Sequence, residues 1–213
     1  LWGQEHAVVC EQAGFANLLA PHIAAQLGRS QPAPSPLSCF GDPGHVANGS
    51  FEAGSATEVA GWRHFASGSG SVTVVDDGTA QDGARFVRAA VTGGGTAGIS
   101  HGTLAEVETS YRATVHVKST SASIGKFQII FKDVAQNTLE TFTRFASIDA
   151  AWQALTLDGG PAPAGTVQVA VRCFADSGTV VDFDTVTLAP ILPCPADLDD
   201  SGGVGFEDLV SLL

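Results

Sequence analysis

Near its end, the chain carries the residue types of a compact cation site. The stretch 197–208 reads DLDDSGGVGFED, with oxygen-bearing side chains at alternate positions and Gly202 where a sharp turn is needed. Ca²⁺ takes about six to eight oxygen ligands, and a tight loop presents them from alternate positions. The predicted ligands are Asp197, Asp199, Ser201, the backbone carbonyl of Gly203, and Asp208. Three carboxylates repel one another without a cation, so we expect this loop to fold only with Ca²⁺ bound.

The segment 191–213 resembles one half of a dockerin, in which a calcium loop is followed by a helix. The apolar run LVSLL follows Asp208, as that family requires. The resemblance implies Ca²⁺ as the bound ion and a cohesin-like domain as the partner. Two alternatives stay open: an acidic, solvated turn, and a calcium-stiffened terminal tag of an exported protein.

A second set of residues has the chemistry of sugar recognition, which needs aromatic faces for stacking and planar polar groups for paired hydrogen bonds. In the run 166–174, strict alternation puts the valines and Cys173 on one face and the polar residues with Phe174 on the other. In 126–132 we expect Phe127, Ile129 and Phe131 inside. The outward-facing residues of these two runs, together with Arg144 and the loop 63–65, form a predicted groove. Each of these residues, taken singly, also fits an ordinary solvated surface position. The predicted ligand-binding residues are Arg172, Gln168, Phe174, Gln128, Arg144 and His64.

The elements that must position these residues are short strands. Between 47 and 190, polar and apolar residues alternate in short runs, which clusters of Gly, Asp, Asn and Ser separate. This pattern predicts an all-β fold, an antiparallel β-sandwich of the jelly-roll, galactose-binding-like kind. Three- and four-residue apolar spacing occurs in 15–27, and LVSLL follows the calcium loop, so we expect short helical segments at both ends.

The body resembles the carbohydrate-binding modules of the CenC type, families 4 and 9. The resemblance lies in NGSFEAGSATEVAGW at 48–62, GTLAEVETSYRATVHVKS at 102–119, the stretch 151–174 and VVDFDTVTL at 180–188. It implies non-covalent binding of a polysaccharide or oligosaccharide, and a structural Ca²⁺ held by Glu52 and Asp184. Alternation in 180–188 predicts Asp182 and Asp184 on the same face as Val186 and Leu188, where carboxylates need a partner. The alternative is that Asp184 accepts turn hydrogen bonds without a metal.

Composition divides the chain into four segments: the end of an upstream domain at 1–28, a Pro-rich linker at 29–46, the sandwich at 47–190 and the partial calcium repeat at 191–213. The segment 1–28 resembles the last stretch of an SGNH (GDSL-type) hydrolase. His6 matches the general base of that family, and Gly3 stands where the orienting Asp belongs. The resemblance implies a catalytic domain whose Ser nucleophile is not on this chain, so we expect this chain not to be catalytic by itself.

Charge and composition narrow the partners and the compartment. Acidic residues number 22 against 10 basic ones, which argues against binding to nucleic acid or to an anionic membrane. No apolar run approaches the ~18 residues of a membrane span. Few lysines, no Met and many Thr, Ser, Gly and Val residues predict an exported, extracellular protein. The four cysteines lack zinc spacing, and disulfides or buried thiols both stay open.

Two other functions remain open for the body. One is a structural or adhesive calcium-binding β-sandwich that serves as a spacer without affinity for sugar. The other is a jelly-roll polysaccharide lyase, which is disfavoured because we expect no basic groove rich in His and Tyr. The chain has one Tyr and no HExxH or Walker motif in the body, and this argues against an enzyme.

Overall fold

The computed structural model describes residues 45–120 and 123–191, which form ten strands. Short alternating runs rich in β-branched residues form strands, and the intervening Gly, Asp and Ser clusters form turns. The strands are β1 Arg63–Ala66, β2 Gly70–Asp76, β3 Arg85–Val91, β4 Thr96–Leu104, β5 Ser110–Lys118, β6 Ser123–Lys132, β7 Thr138–Ile148, β8 Gln153–Pro161, β9 Gln168–Asp176 and β10 Val180–Pro190.

The strands form two antiparallel sheets of five strands each. The first sheet has the order β1-β4-β9-β6-β7, and the second has the order β2-β3-β10-β5-β8. The prediction of an all-β antiparallel sandwich is therefore confirmed. The helical segments predicted at both ends lie outside the described residues. Within the described part, no helix is long and apolar enough to cross a membrane.

The core lies between the two sheets and follows the predicted alternation in the central strands of the first sheet. Phe127, Ile129 and Phe131 of β6 are fully buried, as are Val169 and Val171 of β9. The intervening residues of both strands lie on the outer face, where all but Ala170 are partly exposed. The inward and outward assignments made from sequence for these two strands are confirmed.

Cys173 also points into this core and is a free, fully buried thiol. Burial in apolar surroundings raises the pKa of this thiol far above its ordinary value. For this cysteine the structure shows the buried thiol, one of the two alternatives left open by the sequence. The other three cysteines lie outside the described residues.

Strand β10 departs from strict alternation through a bulge. Asp184 pairs with His116 and Thr187 with Thr114, so β10 has one more residue in this interval than β5. Thr185 in the bulge has a φ of 46°. Such a φ is costly for a β-branched residue, so the surrounding contacts must hold it there.

The bulge reverses which residues of β10 face the core. Phe183 before it and Val186 after it are both buried between the sheets. Asp182 and Asp184, which alternate with Phe183, therefore lie on the other side of the second sheet. The prediction that these two carboxylates share a face with Val186 and Leu188 is wrong, because that prediction assumed unbroken alternation.

Candidate functional site

Two rows of side chains cross the outer face of the first sheet, which we call the groove face. Residues paired across antiparallel strands point to the same face, so the registers align one residue from each strand. The polar row is Arg63, Ser100, Arg172, Gln128 and Thr143. The aromatic row beside it is Phe65, Gly98, Phe174, Lys126 and Phe145. With strands roughly 4.8 Å apart, each row extends about 19 Å.

A groove of about 540 Å³ lies on this face. It runs from β1 across β4, β9 and β6 to the start of β7. Gly102 and Ala170 face each other across β4 and β9, and their small size leaves room between larger neighbours. The groove lining includes Arg63, Phe65, Ser100, Lys132, Gln168 and Arg172.

Arg172 lies at the centre of the groove face and is placed by two rings. Its guanidinium carbon is 4.2 Å from the centroid of the Phe65 ring and 5.0 Å from that of Phe174. Such cation–π contacts orient a guanidinium and leave its N–H groups free to donate. Partial burial lowers the pKa of Arg172, but an arginine remains charged at physiological pH.

The other end of the face combines a paired lysine with an exposed ring. Lys126 forms an ion pair with Asp176, and its ammonium nitrogen is 5.4 Å from the centroid of the Phe145 ring. Phe145 is 60% exposed, which is high for an aromatic side chain. Beside it, Nε2 of Gln128 donates to Oγ1 of Thr143 at 3.0 Å, which orients the amide.

Two glycines of β4 on this face differ in what surrounds them. A Cβ added at Gly98 would lie 2.1 Å from the carbonyl oxygen of Cys173 and 2.7 Å from Cα of Phe174. A Cβ added at Gly102 would first meet the terminal amide of Gln168, at 2.4 Å. Gly98 is therefore required for the close approach of β4 and β9, whereas Gly102 borders a side chain that can move.

Four of the predicted ligand-binding residues lie together on the groove face, and two do not. The four are Arg172, Gln168, Phe174 and Gln128. Arg144 pairs with the core residue Phe127, so it projects from the opposite face of the edge strand β7. His64 pairs with the buried Ile99, and its Nε2 is buried without a hydrogen-bond partner. The segment 63–65 is part of strand β1 rather than a loop, and this turns His64 away from Arg63 and Phe65.

Sequence reasoning missed Lys132, Lys126 and Ser100 as members of this face. The first two could have been found, because alternation in 126–132 puts them on the same side as Gln128. Ser100 carried no such signal, since TAGISHGTL alternates weakly and its pairing with Arg172 depends on the register of β4 against β9.

The carboxylates of Glu52 and Asp184 hold the segment 81–85 through its backbone. Oδ2 of Asp184 accepts hydrogen bonds from the amides of Gln81 and Asp82, at 2.8 and 3.1 Å. Oε1 of Glu52 accepts from the amides of Ala84 and Arg85, at 3.0 and 2.9 Å. Asp184 is fully buried, and this desolvation raises its pKa.

This arrangement does not fit a Ca²⁺ site as it stands. Three of the four carboxylate oxygens already accept hydrogen bonds from backbone amides. They are Oδ2 of Asp184, Oε1 of Glu52, and Oδ1 of Asp184, which accepts from the amide of Thr185 at 2.7 Å. Within 45–120 and 123–191, no three Asp, Glu, His or Cys side chains gather closely enough to hold a metal ion. A cation here would have to displace these hydrogen bonds, so Ca²⁺ at Glu52 and Asp184 stays a prediction from the resemblance.

We predict that acidification weakens the fold through two histidines beside the groove. Burial lowers the pKa of His64 and of His101 below 6.5, despite the opposing effects of Glu58 on the first and of the Gly61 carbonyl on the second. The unfolded chain then binds more protons, so the stability these neutral rings contribute is present above pH 6.5 and is lost as the pH falls through their folded pKa values.

Thermal melts at pH 7.5 and pH 5.5 check this expectation. The wild-type midpoint should fall with pH, and the fall should be smaller in the double variant His64→Gln/His101→Gln. The quantity compared is the change in melting temperature between pH 7.5 and pH 5.5, because the substitutions also change packing and therefore the absolute stability. If the double variant shows the same fall in melting temperature as the wild type, His64 and His101 are not its cause.

The other predicted sites lie outside the described residues. These are the calcium loop at 197–208, with Asp197, Asp199, Ser201, Gly203 and Asp208, and His6 in the N-terminal segment.

Comparison with known proteins identifies the fold rather than a family. No protein-family model matches the chain, and no curated protein matches its sequence. The carbohydrate-binding module TmCBM61, solved with β-1,4-galactotriose, is 16% identical and matches with a TM-score of 0.50 over 70% of this chain and 99% of that one. The enzymatically active domain of tailspike protein 4 of bacteriophage CBA120 is 15% identical, with a TM-score of 0.57 over 70% of this chain.

A third match is the arabinose-bound MgGH51 α-L-arabinofuranosidase, 15% identical with a TM-score of 0.54 over 80% of this chain. The chain spans only 21% of the tailspike protein and 29% of the arabinofuranosidase, whereas it spans nearly all of TmCBM61. The described body therefore has a β-sandwich fold similar to that of TmCBM61.

Proposed function

We propose that the body binds a polysaccharide non-covalently on the groove face. The observation that carries this proposal is the adjacency of the polar row and the aromatic row across all five strands of the first sheet. Stacking rings and planar hydrogen-bonding groups are the two requirements of sugar recognition, and here they lie side by side. The structural similarity to TmCBM61, which was solved with a bound oligosaccharide, supports this function.

In this proposal the sugar rings lie along the rows, across the strands. The exposed ring of Phe145 and the partly exposed rings of Phe65 and Phe174 stack on pyranose C–H groups, while Gln128 and Arg172 donate hydrogen bonds to sugar oxygens. The amide of Gln128 is already oriented by Thr143, which reduces the entropy lost on binding. The CenC-type resemblance of the sequence supports the same assignment at a finer level.

Affinity electrophoresis of the full chain through soluble β-glucan, xylan, mannan, galactan, polygalacturonate and alginate tests the proposal. We expect retardation by at least one polymer. We also expect Phe145→Ala and Phe65→Ala each to weaken it about tenfold, since a stacked ring contributes roughly 1 kcal/mol beyond its buried area.

The matched control is Val134→Ala, which truncates another exposed apolar side chain, 69% exposed in the β6–β7 turn and outside both rows. Its retardation should equal that of the wild type. No retardation by any polymer would contradict carbohydrate binding and favour the structural or adhesive spacer.

The polysaccharide lyase finds mixed support in the groove. Contrary to the sequence-based expectation, the groove is basic, and His101 lies at its margin. The single Tyr of the chain, Tyr111, is fully buried, and its hydroxyl oxygen accepts a hydrogen bond from the amide of Glu106. Tyr111 cannot therefore act on a substrate in the groove, and we retain binding as the function.

We further propose that the chain is an exported, modular protein stabilised by Ca²⁺ at 197–208. The spacing of the residues in that loop supports this proposal, and its dockerin-like character implies a cohesin-like partner.

Calorimetric titration of the full chain with Ca²⁺ should show binding that Asp197→Asn/Asp199→Asn abolishes. Chelation by EDTA should lower the melting temperature of the wild type, and if Ca²⁺ also binds the body, Glu52→Gln should reduce this response. Absence of Ca²⁺ heat in the wild type would contradict the loop assignment.

A further inference from the structure

We propose that the groove selects acidic polysaccharides, and that Arg172 binds the carboxylate of a uronic acid residue with support from Arg63 and Lys132. This inference rests on the proposed function, because it names the class of sugar that the groove face takes. The observations that carry it are the sign of the groove charges, the absence of partners for these cations and the geometry of Arg172.

The groove has only positive charges among its ionised lining residues. Arg63, Lys132 and Arg172 line it, and no Asp or Glu does. This contrasts with the whole chain, whose formal net charge is −12. A local cluster of one sign, opposite to that of the protein, is a mark of a binding site for ligands of the other sign.

The side chains of the same three cations have no hydrogen-bond or ion-pair partner among the described residues. Most of the other described Lys and Arg side chains have one. Arg88, Arg112 and Lys126 form ion pairs with aspartates. Arg85 and Lys118 donate to backbone carbonyls. Arg144 is the remaining unpartnered Lys or Arg within 45–120 and 123–191, and it lies off the groove face. Unpaired cations are thus concentrated where a ligand would lie.

The position of Arg172 suits a carboxylate better than a neutral hydroxyl. Its planar guanidinium presents parallel N–H donors that match the two oxygens of a carboxylate. Phe65 and Phe174 hold this plane and partly exclude water. A charge-assisted pair in such a site is stronger than one in open solvent.

The acidic residues elsewhere on the protein do not prevent this binding at physiological ionic strength. Exposed charges farther than about 8 Å from the ligand are largely screened from it under these conditions, whereas charges that contact the ligand within the groove are screened less. The cations in the polar row and in the groove therefore dominate at short range. We expect binding to weaken as salt is raised, more than binding to a neutral sugar would.

Polygalacturonate and highly methyl-esterified pectin provide a matched pair of probes, since esterification removes the charge and retains the sugar backbone. In affinity electrophoresis of the full chain, polygalacturonate should retard the wild type at least tenfold more strongly than the ester. Arg172→Gln should lose this preference, and Arg172→Lys should lose part of it because it keeps the charge without the planar fork. Arg144→Gln, which removes an unpartnered arginine off the face, should behave like the wild type.

Three outcomes separate this inference from the proposed function. Equal retardation by the acid and the ester would overturn the selection of uronic acids while leaving carbohydrate binding intact. Stronger retardation by dextran sulfate than by polygalacturonate would overturn the carboxylate assignment. No retardation by any neutral or acidic polymer would overturn both proposals. Far-ultraviolet circular dichroism and thermal melts of each variant show that the loss reflects the groove rather than unfolding.

Discussion

Replacing Arg88 with alanine should destabilise the fold by about 3 kcal/mol, because the change leaves a buried carboxylate without its counter-charge. Nε and Nη2 of Arg88 donate to the two carboxylate oxygens of Asp182, at 2.6 and 2.8 Å. Asp182 is 1% exposed, and its position on β10 faces Arg88 on β3 and Lys118 on β5. Urea unfolding followed by tryptophan fluorescence would measure the change.

Arg112 gives a matched control for this substitution. It binds Asp158 in the same two-pronged geometry, at 2.6 and 2.7 Å, but its side chain is 56% exposed and that of Asp158 is 50% exposed. Water can replace the lost partner there, so Arg112→Ala should leave the midpoint within experimental error.

The double variant Arg88→Met/Asp182→Leu separates pairing from packing. Since it removes both charges and keeps apolar volume, it should recover much of the stability lost in Arg88→Ala. Equal loss of stability in Arg88→Ala and Arg112→Ala would show that burial of the pair is not what matters.

Replacing Gly98 with alanine should both destabilise the sandwich, by at least about 2 kcal/mol, and abolish binding on the groove face. The added methyl group would meet the backbone carbonyl of Cys173, which belongs to β9, a central strand paired with β4 on one side and with β6 on the other. Separation of β4 from β9 would also shift Phe174 relative to Phe65, which are the two rings that hold Arg172.

Gly102→Ala is the control on the same strand and the same face. Its methyl group would meet only the end of the Gln168 side chain, which can rotate away. We expect this variant to melt near the wild type and to lose part of its ligand affinity at most. Differential scanning calorimetry and affinity electrophoresis on both variants would measure the two effects. A Gly98→Ala protein that melts like Gly102→Ala would contradict the close approach of β4 and β9.

Much of this architecture could be predicted where the sequence alternates without interruption. In β6 and β9 the apolar residues recur at every second position, so the core residues and the outward positions of Gln128, Gln168, Arg172 and Phe174 followed directly. The number and spacing of such runs also predicted a sandwich. In these strands a period of two leaves little freedom once one face must be buried.

The remaining features of the fold and of the groove face depend on strand pairing and on a bulge, which no local sequence pattern predicts. The bulge at Thr185 is set by its surroundings and reverses the face of Asp182 and Asp184 relative to the residues that follow. Arg144 and His64 were assigned to the groove from their aromatic neighbours in sequence, but their face is decided by pairing with Phe127 and Ile99. The two rows exist only because four separate registers align residues far apart in the chain.

Strands β1 and β7 are the edges of the first sheet, and both rows run from one edge to the other. A sugar chain that lies along them would emerge at both rims instead of ending against a wall. If the proposed binding holds, such a face would bind the middle of a polymer and would not require a free reducing or non-reducing end. The number of protein molecules that load onto a polysaccharide would then grow with its contour length, and cutting the polymer into long pieces would leave that capacity almost unchanged.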